Sequence, residues 1–241
     1  MTAGRQPAAV TRREPRGGAR SLDLGLVLAK VRRRLWSTRT SIAVTRDLDG
    51  EPFRSAEDLR FEFIDADAFD DLPRVLDEST GAEWLNVRGI ERIRQARAGA
   101  MSVSRDASGA VLAFHFMHES HDHPALEAVA PHMYPQLPDD EVWTEAVYCL
   151  PAHRGKRIAP ALLGATGAYL AANGKRRVWA YLDIGNIAAL RTFNRAGYSV
   201  AGEERIDRFR FGRFSTLFRK LSPGTRTEWE HALAGARPDT L

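Results

Sequence analysis

The fold is decided by residues 141–183, EVWTEAVYCLPAHRGKRIAPALLGATGAYLAANGKRRVWAYLD. An apolar run predicts a β-strand over 141–150, and a basic, glycine-containing turn then precedes a helical pattern over 158–172. Asn173 and Gly174 predict the end of that helix, and the RRVWAYLD run after it predicts a second strand. A strand, a helix and a strand in this order predict a βαβ unit whose strands are parallel.

The flanking sequence predicts further strands and helices around this unit. They are a strand at 59–65, helices at 67–78 and 82–98, a hairpin over 101–119 turning at Ser108 and Gly109, a helix at 186–196, and strands at about 198–204 and 206–220. Hairpins beside one parallel pair predict an α/β (α+β) fold with a mixed, mostly antiparallel sheet flanked by helices.

Charge is distributed unevenly along the 241 residues. The formal net charge is +4, but residues 1–34 alone carry +7, which leaves the rest of the chain at about −3. The body therefore lacks the overall positive charge of a nucleic-acid-binding domain, and we expect no nucleic-acid partner. The single cysteine excludes an intrachain disulfide, which fits a reducing cytoplasm.

Composition divides the chain into four expected parts. Residues 1–21 read as a disordered basic tail, and residues 22–58 as an amphipathic helix followed by a connector. Residues 59–221 form the expected main folded domain, and 222–241 a C-terminal extension. The helix over 22–36 either docks on the body or lies on an anionic membrane surface, which would make the cytoplasmic protein peripheral at the inner membrane.

The turn after the first strand of the βαβ unit suits an anion. Arg154, Gly155, Lys156 and Arg157 open the helix, where free backbone N–H groups meet basic side chains. Such a helix start is a natural cradle for a pyrophosphate.

A second motif follows at a fixed distance, with the spacing N-x-x-A-x-x-x-F-x-x-x-G-Y from Asn186 to Tyr198. The two motifs in this order resemble the GNAT superfamily of acetyltransferases over about residues 59–220. In that family the first motif, [QR]-x-x-G-x-[GA], grips the coenzyme A pyrophosphate. The residues that the resemblance assigns to coenzyme A are Val147, Cys149, Arg154, Gly155, Lys156, Arg157, Ile158, Ala159, Asn186, Ala189 and Phe193.

Two positions depart from the family pattern. Arg157 stands where the middle glycine is expected, so its side chain either points away or helps to hold phosphate. Phe193 replaces a tyrosine that commonly protonates the departing thiolate, and phenylalanine has no proton to give. A thiol pKa of about 8.5 makes the thiolate a tolerable leaving group, so acid help is dispensable or comes from Tyr198 or water.

Glu145 is the candidate general base, because Glu145–Cys149 resembles the strand of histone-acetylating family members. An alkylamine has a pKa of about 10.4 and must lose a proton before it attacks. Trp143, Val147 and Cys149 are expected on the same strand face, an apolar setting that would raise the pKa of the carboxyl. A solvated or salt-bridged glutamate is the alternative. The resemblance also implies a gap between this strand and the next, where backbone N–H groups of residues 147–149 would polarise the thioester carbonyl.

Five of the seven histidines lie between residues 115 and 132. A metal site is one interpretation, but the family chemistry needs none, and we expect none; a polar loop on the acceptor side is the other. In that loop His118 or Glu119 would contact the acceptor or replace Glu145 as base. The acidic residues of the same stretch that would suit a cationic acceptor are Asp122, Asp139, Asp140 and Glu141.

The resemblance implies an N-acyltransferase that uses acetyl-CoA, or another short acyl-CoA, as co-substrate. The acceptor would be a primary amine of a small molecule or a peptide, and a protein N-acetyltransferase is included in that range. A non-catalytic acyl-CoA-binding or sensing domain and a membrane-surface module are the alternatives. The sequence does not determine the acceptor, the acyl-chain length or the oligomeric state.

Overall fold

The computed structural model describes residues 36–49, 59–65 and 84–234, with side chains in the last segment described from residue 90. The tail over 1–21, the helical segment over 22–35 and the helix expected at 67–78 lie outside these residues. The strands are β1 (Trp36–Asp47), β2 (Arg60–Asp65), β3 (Ala100–Arg105), β4 (Val111–His118), β5 (Glu141–Cys149), β6 (Arg177–Asp183), β7 (Ser199–Arg210) and β8 (Arg213–Lys220). The helices are α1 (Trp84–Ala96), α2 (His123–Val129), α3 (Ile158–Ala172), α4 (Ile187–Arg195) and α5 (Pro223–Ala234).

The described strands form one eight-stranded sheet in the order β2-β3-β4-β5-β6-β1-β7-β8. β5 and β6 are parallel, and every other neighbouring pair is antiparallel. The mixed, mostly antiparallel sheet and the central βαβ unit are therefore confirmed. Among the described residues, no helix is long and apolar enough to cross a membrane.

The parallel pair separates soon after it begins. β5 and β6 are paired only from Glu141 to Trp143 and from Arg177 to Trp179, and beyond these residues the two strands diverge. The divergence opens a gap at the centre of the sheet, on the side where β5 runs into the basic turn.

β1 corrects the expected start of the domain at residue 59. It lies inside the sheet, paired with β6 on one side and β7 on the other, and Trp36 belongs to it and not to a helix. Its apolar centre, Ile42 to Val44, is fully buried. A three-residue apolar run between polar flanks carries little periodic signal, which is why the sequence analysis assigned these residues to a connector.

The C-terminal part also differs from the sequence prediction. The last hairpin turns at Phe211 and Gly212, not near residue 205, because both residues have positive φ (47° and 83°) as a two-residue turn requires. The expected extension after residue 221 contains α5, whose Trp229 is buried in the main core.

The two faces of the sheet carry different helices. Leu163 of α3, Phe193 of α4 and Trp229 of α5 share one core cluster with residues of β1, β5 and β6. Ile90 and Ile93 of α1 pack in another cluster, against Phe114 and its neighbours on β3 and β4. The gap between β5 and β6 therefore lies between a face carrying α3 to α5 and a face carrying α1 and α2.

Candidate active site

The middle of β5 contains a β-bulge at Ala146, which has a φ of 52°. Phe116 is opposite Glu145 and Phe114 is opposite Tyr148, so two residues of β5 face a single residue of β4. A bulge bends its strand and changes the direction of the side chains that follow it. The bulge lies where β5 has already separated from β6.

The bulge overturns the expected alternation along β5. Val147 packs against the cluster that contains Leu163, and Cys149 packs against Ile158 at the start of α3. Glu145 instead contacts residues on the α1 and α2 side of the sheet. Val147 and Cys149 thus line the α3 side, and they do not supply the apolar setting that was expected around the carboxylate.

Glu145 is held by two hydrogen-bond donors from separate parts of the chain. His118 at the end of β4 donates from Nε2 to Oε1 over 3.0 Å, and the Tyr134 hydroxyl donates as well. The His118 side chain is 2% exposed, whereas that of Glu145 is 22% exposed. Of the bonded pair, Glu145 is the more exposed side chain.

The ionisation of Glu145 runs opposite to the sequence expectation. Burial raises the pKa of its carboxyl, but the hydrogen bonds and charge of His118, the Tyr134 hydroxyl and the charge of Arg92 together outweigh burial. The pKa of Glu145 therefore lies below its usual value, and the group is a carboxylate at neutral pH. Burial and the Glu145 charge raise the pKa of Tyr134, which keeps its hydroxyl proton and remains a donor.

The basic turn lies at the far end of β5, exposed at the start of a fifteen-residue helix. Arg154, Lys156 and Arg157 are all exposed, and Ile158 anchors the turn by packing under Leu112 and Leu162. Arg154 donates from Nε to the Cys149 carbonyl over 3.0 Å. The arrangement joins three cations to the free N–H groups of a helix start.

Arg157 takes over the backbone role of the missing glycine. It is the residue before α3 and has φ 60° and ψ 16°, in the left-handed region that favours glycine. Gly155 also has positive φ, 78°. The turn thus keeps a glycine-like backbone while adding a third cationic side chain.

The second motif has a local structural explanation. Asn186 precedes α4, and its side-chain oxygen accepts the backbone N–H of Ala189 over 3.1 Å. Phe193 is buried and packs edge-on against Tyr198, with ring centroids 4.8 Å apart. Asn186 is thus a helix cap, and Phe193 is a core residue. Ala189 packs at the edge of the same core cluster.

Three acidic residues of the loop are already paired with basic side chains. Glu119 accepts a bond from Lys175, and Asp140 and Glu141 bind Arg176 at 2.8 and 2.5 Å. Asp139 instead accepts the Ser120 hydroxyl, and Asp122 accepts two backbone N–H groups. In the part of the chain that the structure describes, no three metal-ligating side chains are grouped so as to hold an ion.

Sequence reasoning missed Tyr134 and the place of Gly99. Tyr134 lies in the irregular segment between α2 and β5, where nothing in the local sequence links it to Glu145. Gly99 lies between α1 and β3, and it borders the His118 ring. The contact of Gly99 depends on strand register and that of Tyr134 on the path of an irregular segment, and a local sequence pattern encodes neither.

Comparison with known proteins agrees with this geometry. The Acetyltransferase (GNAT) family matches residues 78–198, which is half of the chain. The chain therefore belongs to the GNAT family of acetyltransferases. No curated protein matches the chain.

Several solved structures are similar to the chain at low sequence identity. A GCN5-related glucosamine N-acetyltransferase region of a fungal multi-domain GH3 β-N-acetylglucosaminidase is 13% identical with a TM-score of 0.50, over 83% of this chain and 23% of that one. A GCN5-related N-acetyltransferase from Sphaerobacter thermophilus is 17% identical with a TM-score of 0.46, over 82% and 56%. A GNAT acetyltransferase from Colwellia psychrerythraea is 14% identical with a TM-score of 0.48, over 79% and 63%. The chain spans less than two thirds of the length of each.

Proposed function

We propose that this chain transfers an acyl group, in the first instance acetyl, from acyl-CoA to a primary amine of a small molecule or peptide, with Glu145 as general base. The observation that carries the proposal is an ionised glutamate with a partly exposed side chain at the bulge of β5, beside the gap between β5 and β6. Membership of the GNAT family supports acyl-CoA as the donor.

The described residues fit acyl-CoA at two points. The exposed cations Arg154, Lys156 and Arg157 around two positive-φ residues suit the pyrophosphate. The gap between β5 and β6 offers unpaired backbone along β5 for the extended pantetheine chain. Val147 and Cys149 border this gap from the α3 side, and Phe193 lies in the core beneath it.

Glu145 has two tasks at the acceptor end. Its negative charge favours the approach of an ammonium group, and the carboxylate then takes the ammonium proton, directly or through water, before the amine attacks. Acyl-CoA supplies the thioester carbonyl carbon; the C–N bond forms, the C–S bond breaks, and the departing thiolate takes up, directly or through water, the second proton that the nitrogen loses. Because Glu145 is already ionised at neutral pH, the rise of kcat/KM with pH is set by the amine.

Substitution of Glu145 tests this proposal. Wild-type protein should turn over acetyl-CoA with some member of a panel of alkyl amines and peptides. Glu145→Gln keeps the size of the side chain but removes the proton acceptor, so kcat should fall by about 10²–10⁴ while the acetyl-CoA Kd from calorimetry is unchanged. Glu62→Gln, on the outer strand β2, is the matched control and should retain wild-type kcat. Near-wild-type kcat in Glu145→Gln would make the carboxylate structural.

A non-catalytic acyl-CoA sensor is the second candidate, favoured by Phe193. That side chain is buried and offers no proton to a departing thiolate. A sensor would bind acetyl-CoA with measurable Kd, lose affinity without Arg154, and release no free coenzyme A with any amine. Detection of free thiol above the rate of spontaneous hydrolysis separates the two candidates.

A further inference from the structure

We propose that His118 is a positioning residue, fixed in place by Gly99 and Asp122, which together with Tyr134 holds the Glu145 carboxylate toward the acceptor. The inference rests on the proposed function, because it takes Glu145 as the base of the acyl transfer. The inference assigns His118 the role of positioning Glu145, and it excludes His118 as the base.

The bond to Glu145 separates the two roles. His118 is 2% exposed, and its Nε2 is bonded to the carboxylate over 3.0 Å, so this ring nitrogen is not available to take a proton from an acceptor amine. The bond to a carboxylate oxygen assigns the ring hydrogen to Nε2. His118 therefore acts on the acceptor through Glu145.

Gly99 fixes the other edge of the imidazole. A Cβ added at Gly99 would lie 2.4 Å from Nδ1 of His118 and 2.2 Å from the Met117 carbonyl oxygen, so only glycine allows the ring this close. Gly99 also has φ 84°, a conformation that other residues rarely adopt. The ring is confined between the Gly99 backbone and the Glu145 carboxylate.

Asp122 holds Gly99 and the end of β4 together. Its Oδ1 accepts the Gly99 N–H and its Oδ2 accepts the Glu119 N–H, both over 2.8 Å. Asp122 is itself buried, and the two bonds tie the residue after His118 to the turn before β3. The Asp122 carboxylate thus fixes the backbone on both sides of the His118 imidazole. The sequence analysis had placed this histidine in a polar loop.

Tyr134 holds the Glu145 carboxylate from a separate part of the chain. Its hydroxyl donates to Glu145, and its ring lies edge-on to His118 with centroids 6.1 Å apart. Its ring is anchored in a small apolar cluster with Leu126 of α2. Two rigid donors leave Glu145 little rotational freedom, and a misplacement of about 1 Å in a reacting group can cost about 10²-fold in rate.

Other charges near this group come from neighbouring elements. Arg92 of α1 acts on both Glu145 and Tyr134, and Arg205 of β7 acts on Tyr134. His115 lies on the opposite face of β4, where its Nε2 bonds to Thr166 over 2.8 Å. Removal of His118 leaves Arg92 and Tyr134 as the remaining supports of the ionised carboxylate.

Variants at His118 test the inference. His118→Phe fills the buried space without a donor, and should lower kcat by about tenfold to a hundredfold while leaving the acetyl-CoA Kd unchanged. In a plot of kcat against pH, the acid limb (the fall of kcat at low pH) should move to higher pH, since Glu145 loses a donor that favours its charged form. His118→Gln, whose amide can donate in the place of Nε2, should restore much of both properties. An acid limb that stays at the wild-type pH in His118→Phe would overturn the inference.

Two further variants keep the test decisive. His115→Gln changes a histidine that is equally buried but faces away, and should keep the wild-type acid limb. Tyr134→Phe removes one oxygen atom and should shift the acid limb to higher pH. This variant tests the inference if His118→Phe does not fold. An acid limb that stays at the wild-type pH in Tyr134→Phe would count against the positioning of Glu145 by two donors.

A spectroscopic readout separates this inference from the proposed function. The carboxyl stretch of Glu145, identified by its loss in Glu145→Gln, reports protonation by infrared difference whether or not the protein turns over. A titration midpoint that rises in His118→Phe by at least about one pH unit supports the positioning of Glu145 even in a protein without activity. An inactive wild type would refute the transferase, and an unmoved midpoint would refute the role of His118.

Discussion

Ala146 and Arg157 both hold left-handed backbone without being glycine, at the two ends of the proposed reaction path. Such a conformation costs roughly 1–2 kcal/mol per residue, and it persists only where the surroundings impose it. At Ala146 the pairing of β5 with β4 on both sides of the bulge imposes it. At Arg157 the burial of Ile158 and the start of α3 do so. Strain is thus placed beside Glu145 and in the basic turn.

Arg157 allows backbone and side chain to be tested separately. Arg157→Gly and Arg157→Ala both remove the guanidinium, but only glycine relieves the left-handed strain. The glycine variant should therefore be more stable than the alanine variant by about 1 kcal/mol in urea unfolding. If the guanidinium binds phosphate, both variants should weaken acetyl-CoA by the same factor, about tenfold. Equal stability of the two variants would contradict the strained backbone.

Elements differ in how well the sequence predicts them. The bounds of α3 follow from the sequence, since Arg157 and Gly155 mark its start and Asn173 and Gly174 its end, with Gly174 at φ 77°. The bulge at Ala146 could not be predicted, because alanine has no preference for positive φ and EAVYC reads as regular alternation.

The candidate site was predicted in part for a similar reason. Glu145 and the basic turn lie within one continuous stretch, so local patterns reached them. The bond between His118 and Glu145 joins residues 27 apart in the sequence, and it exists only in the register that places Phe116 opposite Glu145. A shift of that register by one residue would turn one of the two side chains to the other face.

The cap of α4 can be tested at the scale of the helix. Asn186→Ala removes the acceptor for the Ala189 N–H and should cost about 1 kcal/mol in the free energy of unfolding. Asn186→Asp keeps a capping oxygen and should retain most of that stability. Chemical denaturation measures both. If Asn186→Ala keeps its stability but loses acetyl-CoA affinity, the residue binds coenzyme A and is not chiefly a cap.

At the scale of the whole molecule, β1 joins the two halves of the sheet. It is hydrogen-bonded to β6, which carries one side of the gap, and to β7, which continues to the C-terminal hairpin. The segment around Ile42 is therefore part of the frame that sets the separation of β5 and β6. Arg177 of β6 also pairs with Asp47 at the end of β1, over 2.6 Å.

Buried polar groups beneath α3 make the stability of the whole fold depend on pH. His115 is fully buried on β4, bonded through Nε2 to Thr166, which in turn bonds Ser102 over 2.9 Å. Burial lowers the pKa of His115 to about 4, from an ordinary value of about 6.5 in the unfolded chain. Between these two values the unfolded chain binds a proton that the folded protein excludes, so stability falls as the pH falls.

The expected loss from His115 between pH 7.5 and pH 5 is about 2 kcal/mol in the free energy of unfolding. His115→Gln keeps a polar partner for Thr166 but does not titrate, so the variant should lose that much less stability over the same interval. Urea unfolding of both proteins at the two pH values measures the difference. If the substitution weakens the bond to Thr166 equally at both pH values, that weakening does not affect the change in the free energy of unfolding between them. Glu145 does not interfere, because its lowered pKa places its titration below this interval. Parallel pH dependence of the two proteins would mean that water reaches His115 and that the layer beneath α3 is not dry.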